Sequence, residues 1–487
     1  MSTLKDMLYK VAIEAVKGPT DMVINKLDFD SRKIGANDVF VAIRGSISDG
    51  HDFIEKAIQT GATAVICDTF PDTINKKVTY VQVNDTNSAL AFMAANYFGE
   101  PSRNLKLVGI TGTNGKTTIA SLLFQLFQKA GFKVGLLSTV KIVVDKVEHK
   151  ATHTTPDSIT INHYLKEMVE NGVEYCFMEV SSHGIHQKRT EALHFVGGIF
   201  TNLSHDHLDY HPTFAEYRDV KKTFFDNLPK SAFVLSNVDD KNGQVMLQNT
   251  AARKLTYALK SYADYKAQIL ENQLSGLLLK MNGNEVWVKL IGTFNAYNLL
   301  AIYGTAVELG MESLEVLRLL SDLESVSGRF QFIVSATNIT AIVDYAHTPD
   351  ALDNVLKTIN DIRTKNEQLI TVVGCGGNRD KTKRPIMAEI ATALSDKAIL
   401  TSDNPRDEDP EVIISEMENG VAPQNYKKLL SITDRMQAIK TACQLAQPND
   451  IILIAGKGHE AYQEIKGIRQ HFDDMETVKI ILEQLNK

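Results

Sequence analysis

Cysteine is scarce in this chain. Its 487 residues hold four, Cys67, Cys176, Cys375 and Cys443, widely separated and without a C-x-x-C pair. Three of them sit in or beside apolar runs, as reduced buried thiols do, so a cytosolic setting is expected. No uncharged apolar run approaches membrane-spanning length, and no membrane span is expected. Lys5, Asp6, Lys10 and Glu14 interrupt the N-terminus, so no signal peptide is expected either. Low-complexity tracts and fixed-period repeats are absent. Positive charge is not in excess: the formal net charge is −7, so overall charge gives no reason to expect a nucleic-acid partner. What remains, 44% hydrophobic and 23% charged, is the composition of a globular protein. Its length exceeds what one core usually supports, and two to four domains are expected.

The most informative stretch is residues 105–131, LKLVGITGTNGKTTIASLLFQLFQKAG. An apolar strand leads into a glycine-lysine loop and then an amphipathic helix, with Ile119, Leu122, Leu123, Leu126 and Phe127 on one face. Gly131 is the expected C-cap. A loop rich in backbone N–H groups at a helix N-terminus suits phosphate. Lys116 adds positive charge and the Thr117 hydroxyl is placed to ligate Mg²⁺. The spacing is not that of the usual G-x-x-x-x-G-K-[ST] loop, since residue 110 is Ile; the tight part runs Gly112, Thr113, Asn114, Gly115, Lys116. The strand before and the helix after it argue against an incidental glycine turn, and ATP or a close relative is expected.

Strands alternating with helical patterns predict an α/β protein with parallel sheets, in three blocks. The first has strand-like runs at 39–43, 64–67 and 78–83, and ends at a break over 99–102. The second has runs at 175–180, 198–202 and 233–237. The third begins near Arg329 and has runs at 339–344, 369–374, 398–402 and 451–455, each followed by a polar loop, where open parallel sheets bind ligands.

Polar clusters end several of these strands. Glu179 closes an apolar strand in MEVSSHG, and residues 202–211 read NLSHDHLDYH. A carboxylate and a histidine beside a triphosphate suit a Mg²⁺ shell. Zinc is the rival, because three histidines and two aspartates fall within seven residues. The lack of cysteine among them and the neighbouring phosphate loop favour Mg²⁺, with His205 and His211 as hydrogen-bonded structure. In the third block, loops carry Arg379, then Asp403, Asn404, Pro405 and Arg406, then Gly456 and Glu460. Each alone reads as a turn. Brought to one sheet edge, two guanidiniums suit a carboxylate and Glu460 an ammonium, which describes a pocket for a zwitterionic amino acid.

Taken in order, TGTNGKTT, MEVSSHG, NLSHDHLDYH, FNAYN, SGR, DYAHTPDAL, GCGGNRDKTKRP, DNPR and AGKGHE resemble the Mur ligase family, the ATP-dependent amide-forming enzymes of peptidoglycan synthesis. The resemblance implies three α/β domains: a UDP-sugar-binding domain over 1–100, a central P-loop ATPase-like parallel-sheet domain over 101–328, and a C-terminal Rossmann-like domain over 329–487 that closes over the site. It gives Gly112, Thr113, Asn114, Gly115, Lys116, Thr117 and Thr118 to the ATP phosphates, with Asn298, Arg329 and Asp344 also on ATP. Thr117, Glu179, His207 and Lys221 are implied at Mg²⁺, with Lys221 N-carboxylated by CO₂. A carbamate turns a metal-repelling cation into a carboxylate, and forming it needs a neutral amine. The adjacent Lys222 leaves open which lysine is modified.

For a UDP-MurNAc-L-Ala-D-Glu substrate, the resemblance points to Ser31, Ser46, Thr154, Thr155, Ser181, Gln187 and Arg189. His153 and the stretch Ser46-Ile47-Ser48 depart from the commoner family pattern. For meso-diaminopimelate it points to Arg379, Asp403, Asn404, Pro405, Arg406, Gly456 and Glu460, with Arg406 matched to a distal carboxylate that L-lysine lacks. The reaction implied passes through an acyl phosphate and releases ADP and phosphate. His347 is a candidate general base. The rivals are ligation of L-lysine, a related ligase such as a folate polyglutamate synthetase, a P-loop kinase, and an ATP-binding scaffold without activity.

Overall fold

The computed structural model describes residues 2–45, 48–204 and 210–487. Two assigned positions, Ser46 and His207, lie outside the described residues, as do His205, Asp206 and Asp209; with His207 these are four of the five residues on which the zinc reading rests. Contacts gather the chain into two units. One is Met1–Gly112, Ile119–Thr201 and Ala215–Thr256; the other is Thr113–Thr118, Asn202–Phe214 and Tyr257–Lys487.

In the first unit, an N-terminal sheet runs in the order Ile13–Lys17, Thr79–Val83, Ala62–Cys67, Asp38–Val41, Leu27–Asp28. Only the first of these pairs antiparallel to its neighbour. Strands covered on both faces need apolar residues at successive positions. Accordingly Val39, Val41, Ala64 and Ile66 pack into one cluster, and Phe40, Ala42, Val65 and Cys67 into another.

The same unit holds a parallel sheet with Lys106–Thr111 at its centre. Tyr175–Glu179 lies on one side, followed by Val134–Leu137; on the other lie Phe195–Phe200 and then Phe233–Asn237. The run expected at 198–202 is thus displaced towards the N-terminus. Gly197 falls outside the expected run and Gly198 opens it, yet both are interior strand residues whose missing side chains admit neighbours. A Cβ on Gly197 would stand 2.3 Å from a Phe233 ring carbon, and one on Gly198 2.9 Å from Leu228. Asn202 is left in the loop beyond.

The second unit holds a meander, Tyr265–Gln273, Gly276–Met281 and Asn284–Val288, beside the helix Thr293–Glu308. It also holds a sheet ordered Gln331–Val334, Thr340–Asp344, Ile451–Ala455, Leu369–Cys375, Lys397–Ser402, Leu429–Ser431. From Thr340–Asp344 onwards the pairing is parallel, and the first strand is antiparallel. Ile342, Val373, Leu400 and Leu453 face one core, while Val343, Val372, Ile399 and Ile454 face the other. Parallel pairing puts the carboxyl ends of four strands, at Asp344, Ala455, Cys375 and Ser402, along one edge. All four cysteines are buried and free. Among the described residues, no helix is long and apolar enough to cross a membrane.

Candidate functional site

The strand Lys106–Thr111 ends at Gly112, and the helix Lys116–Lys129 begins four residues on. Gly112 and Gly115 have φ of 147° and 91°, backbone that favours glycine. In the second unit, the loop is pinned from outside. Thr113 donates its N–H to the Asn202 carbonyl at 2.8 Å, and Asn114 donates its own to Asn202 Oδ1 at 3.0 Å. Asp350 accepts from the Asn114 amide (3.3 Å) and from the Ser204 hydroxyl (2.8 Å). The Lys116 ammonium folds onto the Thr113 carbonyl at 2.7 Å. Arg329 donates to Thr117 Oγ1 at 3.2 Å while its guanidinium lies 4.6 Å from the Tyr345 ring centre. Asp344, assigned with Arg329, accepts the Phe330 N–H at 2.7 Å. Loss of solvation pushes its carboxyl up to about 6, against the pull of Arg329. Asn298 is buried and donates to Asn295 on the same helix.

In the first unit, Glu179 is 1% exposed at the end of its strand. Its carboxylate accepts the Thr139 N–H at 2.7 Å and the Thr139 hydroxyl at 3.1 Å. Thr139 also meets Thr154 at 3.1 Å, and Thr155 donates to the Glu179 carbonyl at 2.9 Å. Ser181 caps the short helix Ser182–His186 and donates its N–H to Thr155. Arg189 holds the Thr155 carbonyl at 2.6 Å and Gln187 Oε1 at 2.6 Å. Thr154, Thr155, Ser181, Gln187 and Arg189 therefore form one network about the strand end that carries Glu179. Ser31 is buried in a separate 3-10 turn whose N-cap is Asp30.

The two lysines of the helix Phe214–Asp226 part company. Lys221 is 1% exposed; its Nζ lies 3.0 Å from the Gly112 carbonyl and 4.7 Å from the Tyr217 ring centre. Lys222 instead closes on Asp226 at 2.6 and 2.7 Å. Lys221 thus stands beside the phosphate loop, and Lys222 serves an i,i+4 ion pair.

The amino-acid residues meet at the edge of the C-terminal sheet. Asn404 donates to Glu460 Oε2 at 2.7 Å. Arg406, at φ 52°, donates to the Gly377 carbonyl at 2.7 Å. A Cβ on Gly376 would lie 3.0 Å from an Arg406 terminal nitrogen and 3.8 Å from Arg379 Cγ. One on Gly456 would meet Asp403 Oδ2 at 2.8 Å, so glycine there lets the carboxylate approach the backbone. Pro405 is buried between them, while Arg379 is exposed. Burial, reinforced by Asp403, raises the Glu460 carboxyl, and Lys457 opposes the shift. Nearby, the Tyr345 ring lies 4.5 Å from His347 and 5.0 Å from His459, tilted to them by 54° and 46°. Burial lowers His459 to about 4, so it is neutral at physiological pH. His347 Nδ1 pairs with the Tyr345 carbonyl at 2.9 Å.

The Glu179 carboxylate in the first unit and the Thr117 hydroxyl in the second are each buried hard oxygens, the ligand type that Mg²⁺ takes. Among the described residues, no three of His, Cys, Asp and Glu gather as a metal cluster. Reading the sequence missed Thr139, Asp350 and Lys457. Thr139 lacked any local sign, Asp350 lies in the first turn of the helix Pro349–Ile362, and Lys457 lies in a glycine-flanked turn.

Three family models match in succession: "Mur ligase family, catalytic domain" over 23–98, "Mur ligase middle domain" over 110–306, and "Mur ligase, glutamate ligase domain" over 328–458. A Cytophaga hutchinsonii protein described as UDP-N-acetylmuramoyl-L-alanyl-D-glutamate–2,6-diaminopimelate ligase is 53% identical over 485 residues, covering 99% of this chain and 100% of the relative. A solved structure of a ligase with that description aligns over 100% of this chain and 99% of its own, with a TM-score of 0.70 and 31% identity. The MurF ligase of Thermotoga maritima, solved in complex with ADP, shares the fold at a TM-score of 0.61 and 18% identity, over 96% of this chain and 99% of that one.

Proposed function

The chain belongs to the Mur ligase family, and on that premise we propose that it joins meso-2,6-diaminopimelate to UDP-N-acetylmuramoyl-L-alanyl-D-glutamate with ATP, forming an amide and releasing ADP and phosphate. The observation that carries this reading is the cluster on the C-terminal sheet edge. There Arg406, Arg379, Glu460 and Asn404 combine guanidiniums with a carboxylate, as an amino acid with a distal carboxylate requires.

The D-glutamyl γ-carboxylate attacks the γ-phosphorus of ATP, giving an acyl phosphate; the diaminopimelate amine displaces phosphate from it. Lys116 and the backbone of Gly112, Thr113, Asn114, Gly115, Thr117 and Thr118 hold the phosphates, and Asn298, Arg329 and Asp344 the rest of ATP. Ser31, Ser46, Thr154, Thr155, Ser181, Gln187 and Arg189 bind the nucleotide-sugar dipeptide. Asp403, Asn404, Pro405, Arg406, Arg379, Gly456 and Glu460 bind the incoming amino acid. Thr117, Glu179, His207 and a carbamate on Lys221 would hold Mg²⁺, which supplies charge neutralisation at the phosphates. Catalysis is then mainly positioning and electrostatics. The blocks 1–100, 101–328 and 329–487 serve the sugar nucleotide, ATP and the amino acid in turn, in the cytoplasm. Phosphate release with UDP-MurNAc-L-Ala-D-Glu and ATP tests the assignment: release on adding diaminopimelate supports it. Equal release with L-lysine overturns the acceptor, and release with neither overturns the ligation.

A further inference from the structure

The loop after the strand Ile451–Ala455 contains a lysine that the ligand assignment leaves unused. The Lys457 side chain has 0% exposure, although burying an ammonium strips its hydration and requires compensation. Its Nζ donates to Asn404 Oδ1 at 3.1 Å, lies 3.6 Å from Glu460 Oε2, and stands 5.4 Å from the Tyr462 ring centre. The orientation of the Asn404 amide is settled by its partners. Oδ1 also accepts the Glu464 N–H at 2.9 Å, so Nδ2 is the atom that donates to Glu460 at 2.7 Å. Lys457 thus holds Glu460 twice, directly by charge and indirectly through Asn404.

The surrounding charges show why this matters. Asp403 and Glu460 are two carboxylates at one sheet edge, and the Asp403 charge acts on both Glu460 and Lys457. Behind them Arg435 is already committed, bound to Asp474 at 2.6 and 2.8 Å with both side chains fully buried. Without Lys457, Glu460 is left to cations such as Arg406, whose charge already acts on it. Glu460 would then either take up a proton, losing its attraction for an ammonium, or draw Arg406 away from a ligand carboxylate.

We propose that Lys457 is a positioning residue of the amino-acid pocket. It compensates Glu460 from within the protein, so that Glu460 stays ionised and oriented for the ligand ammonium while Arg406 stays available for a ligand carboxylate. This rests on the reading of the pocket as the diaminopimelate site.

The test is a double-mutant cycle in the full-length enzyme: Lys457→Met, Glu460→Gln and the pair together. Lys457→Met alone raises the KM for diaminopimelate about tenfold or more and leaves that for ATP within about twofold. Added to Glu460→Gln it changes the KM by less than about threefold, because no carboxylate remains to compensate. Melting temperatures, which need no ligand, follow the same pattern: Lys457→Met lowers Tm less in the Glu460→Gln background. Equal effects in both backgrounds, or an equal rise in the KM for ATP, overturn the proposal. A Lys457→Met protein that fails to fold alone but folds with Glu460→Gln supports it; failure in both backgrounds overturns it. If the wild-type enzyme releases no phosphate with diaminopimelate, the acceptor reading is what fails, and the melting cycle still decides the role of Lys457.

Discussion

The ammonium nitrogen of Lys221 lies 3.0 Å from the carbonyl oxygen of Gly112, the residue on which the phosphate loop opens. Lys222, one residue on, is committed to Asp226. The two lysines therefore predict opposite outcomes. Lys221→Ala lowers turnover by ~10²-fold or more, as expected when a proposed ligand of the charge-neutralising Mg²⁺ is removed. On the proposed carbamate, short carboxylic acids partly restore turnover by supplying oxygens in its place. Lys222→Ala loses a largely buried i,i+4 ion pair remote from the assigned ligands and stays within about threefold of wild type in turnover. Intact-mass spectra of gently handled enzyme, set against the Lys221→Ala protein, read the carbamate directly; full activity of Lys221→Ala refutes the assignment.

Gly328 predicts a stability effect that no ligand contact explains. Its φ is 64°, and a Cβ there would stand 2.0 Å from the His459 nitrogen and 2.2 Å from the Gly458 carbonyl carbon. Its carbonyl also accepts the Tyr345 N–H at 2.9 Å. Gly328→Ala combines backbone strain with a clash against rigid main chain, and is expected to cost about 3 kcal/mol or more. Chemical denaturation of the two proteins measures it. A loss below about 1 kcal/mol contradicts the close approach.

Much of this architecture was legible because it depends on local periodicity. Ile119, Leu122, Leu123, Leu126 and Phe127 are spaced for one helix face, and all five are without exposure; Gly131 beyond them has φ 93°. The runs at 233–237 and 451–455 are strands to the residue. The polar loops of the third block meet because parallel strands deliver their carboxyl ends to one edge. What stayed hidden are pairings between segments distant in sequence. Thr139 donates to Glu179 forty residues away, and Asp350 binds Asn114 across 236. Lys457, flanked by glycines, reads as an exposed turn residue; only the fold supplies the Asn404 and Glu460 that bury it. The same limit hid the strand's start before Gly198, where Gly197 is needed because the Phe233 ring packs against it.

Asp344 predicts a pH-dependent stability. Its folded pKa of about 6 exceeds the ordinary 3.8, so the folded state binds more protons than the unfolded one between those values. Its contribution is therefore fully present below pH 3.8 and is lost as pH rises through about 6. Asp344→Asn keeps an acceptor for the Phe330 N–H but cannot ionise. The Tm of the variant relative to wild type should rise between pH 3.8 and about 6 and level off above. A difference that is flat, or that falls over this range, would show that Asp344 ionises without penalty in the folded protein.

Arg406 predicts the choice of amino acid. It is held at φ 52° with its guanidinium on the Gly377 carbonyl, near Arg379 and across the loop cluster from Glu460. Diaminopimelate and L-lysine share most of their chain and differ at the distal carbon, where diaminopimelate alone carries a carboxylate. With that carboxylate the guanidinium gains a charge-assisted, bidentate pair; with lysine it is left desolvated, and discrimination of ~10³ or more is expected. Arg406→Ala should raise the KM for diaminopimelate about a hundredfold and leave that for ATP nearly unchanged. It should also narrow the gap between diaminopimelate and lysine, because the variant has no unpaired cation to penalise the wrong substrate. Competition between the two amino acids at fixed ATP, with products resolved by mass, measures both changes. Wild-type enzyme that consumes lysine as readily as diaminopimelate would remove Arg406 from this role while leaving the ligation itself in place.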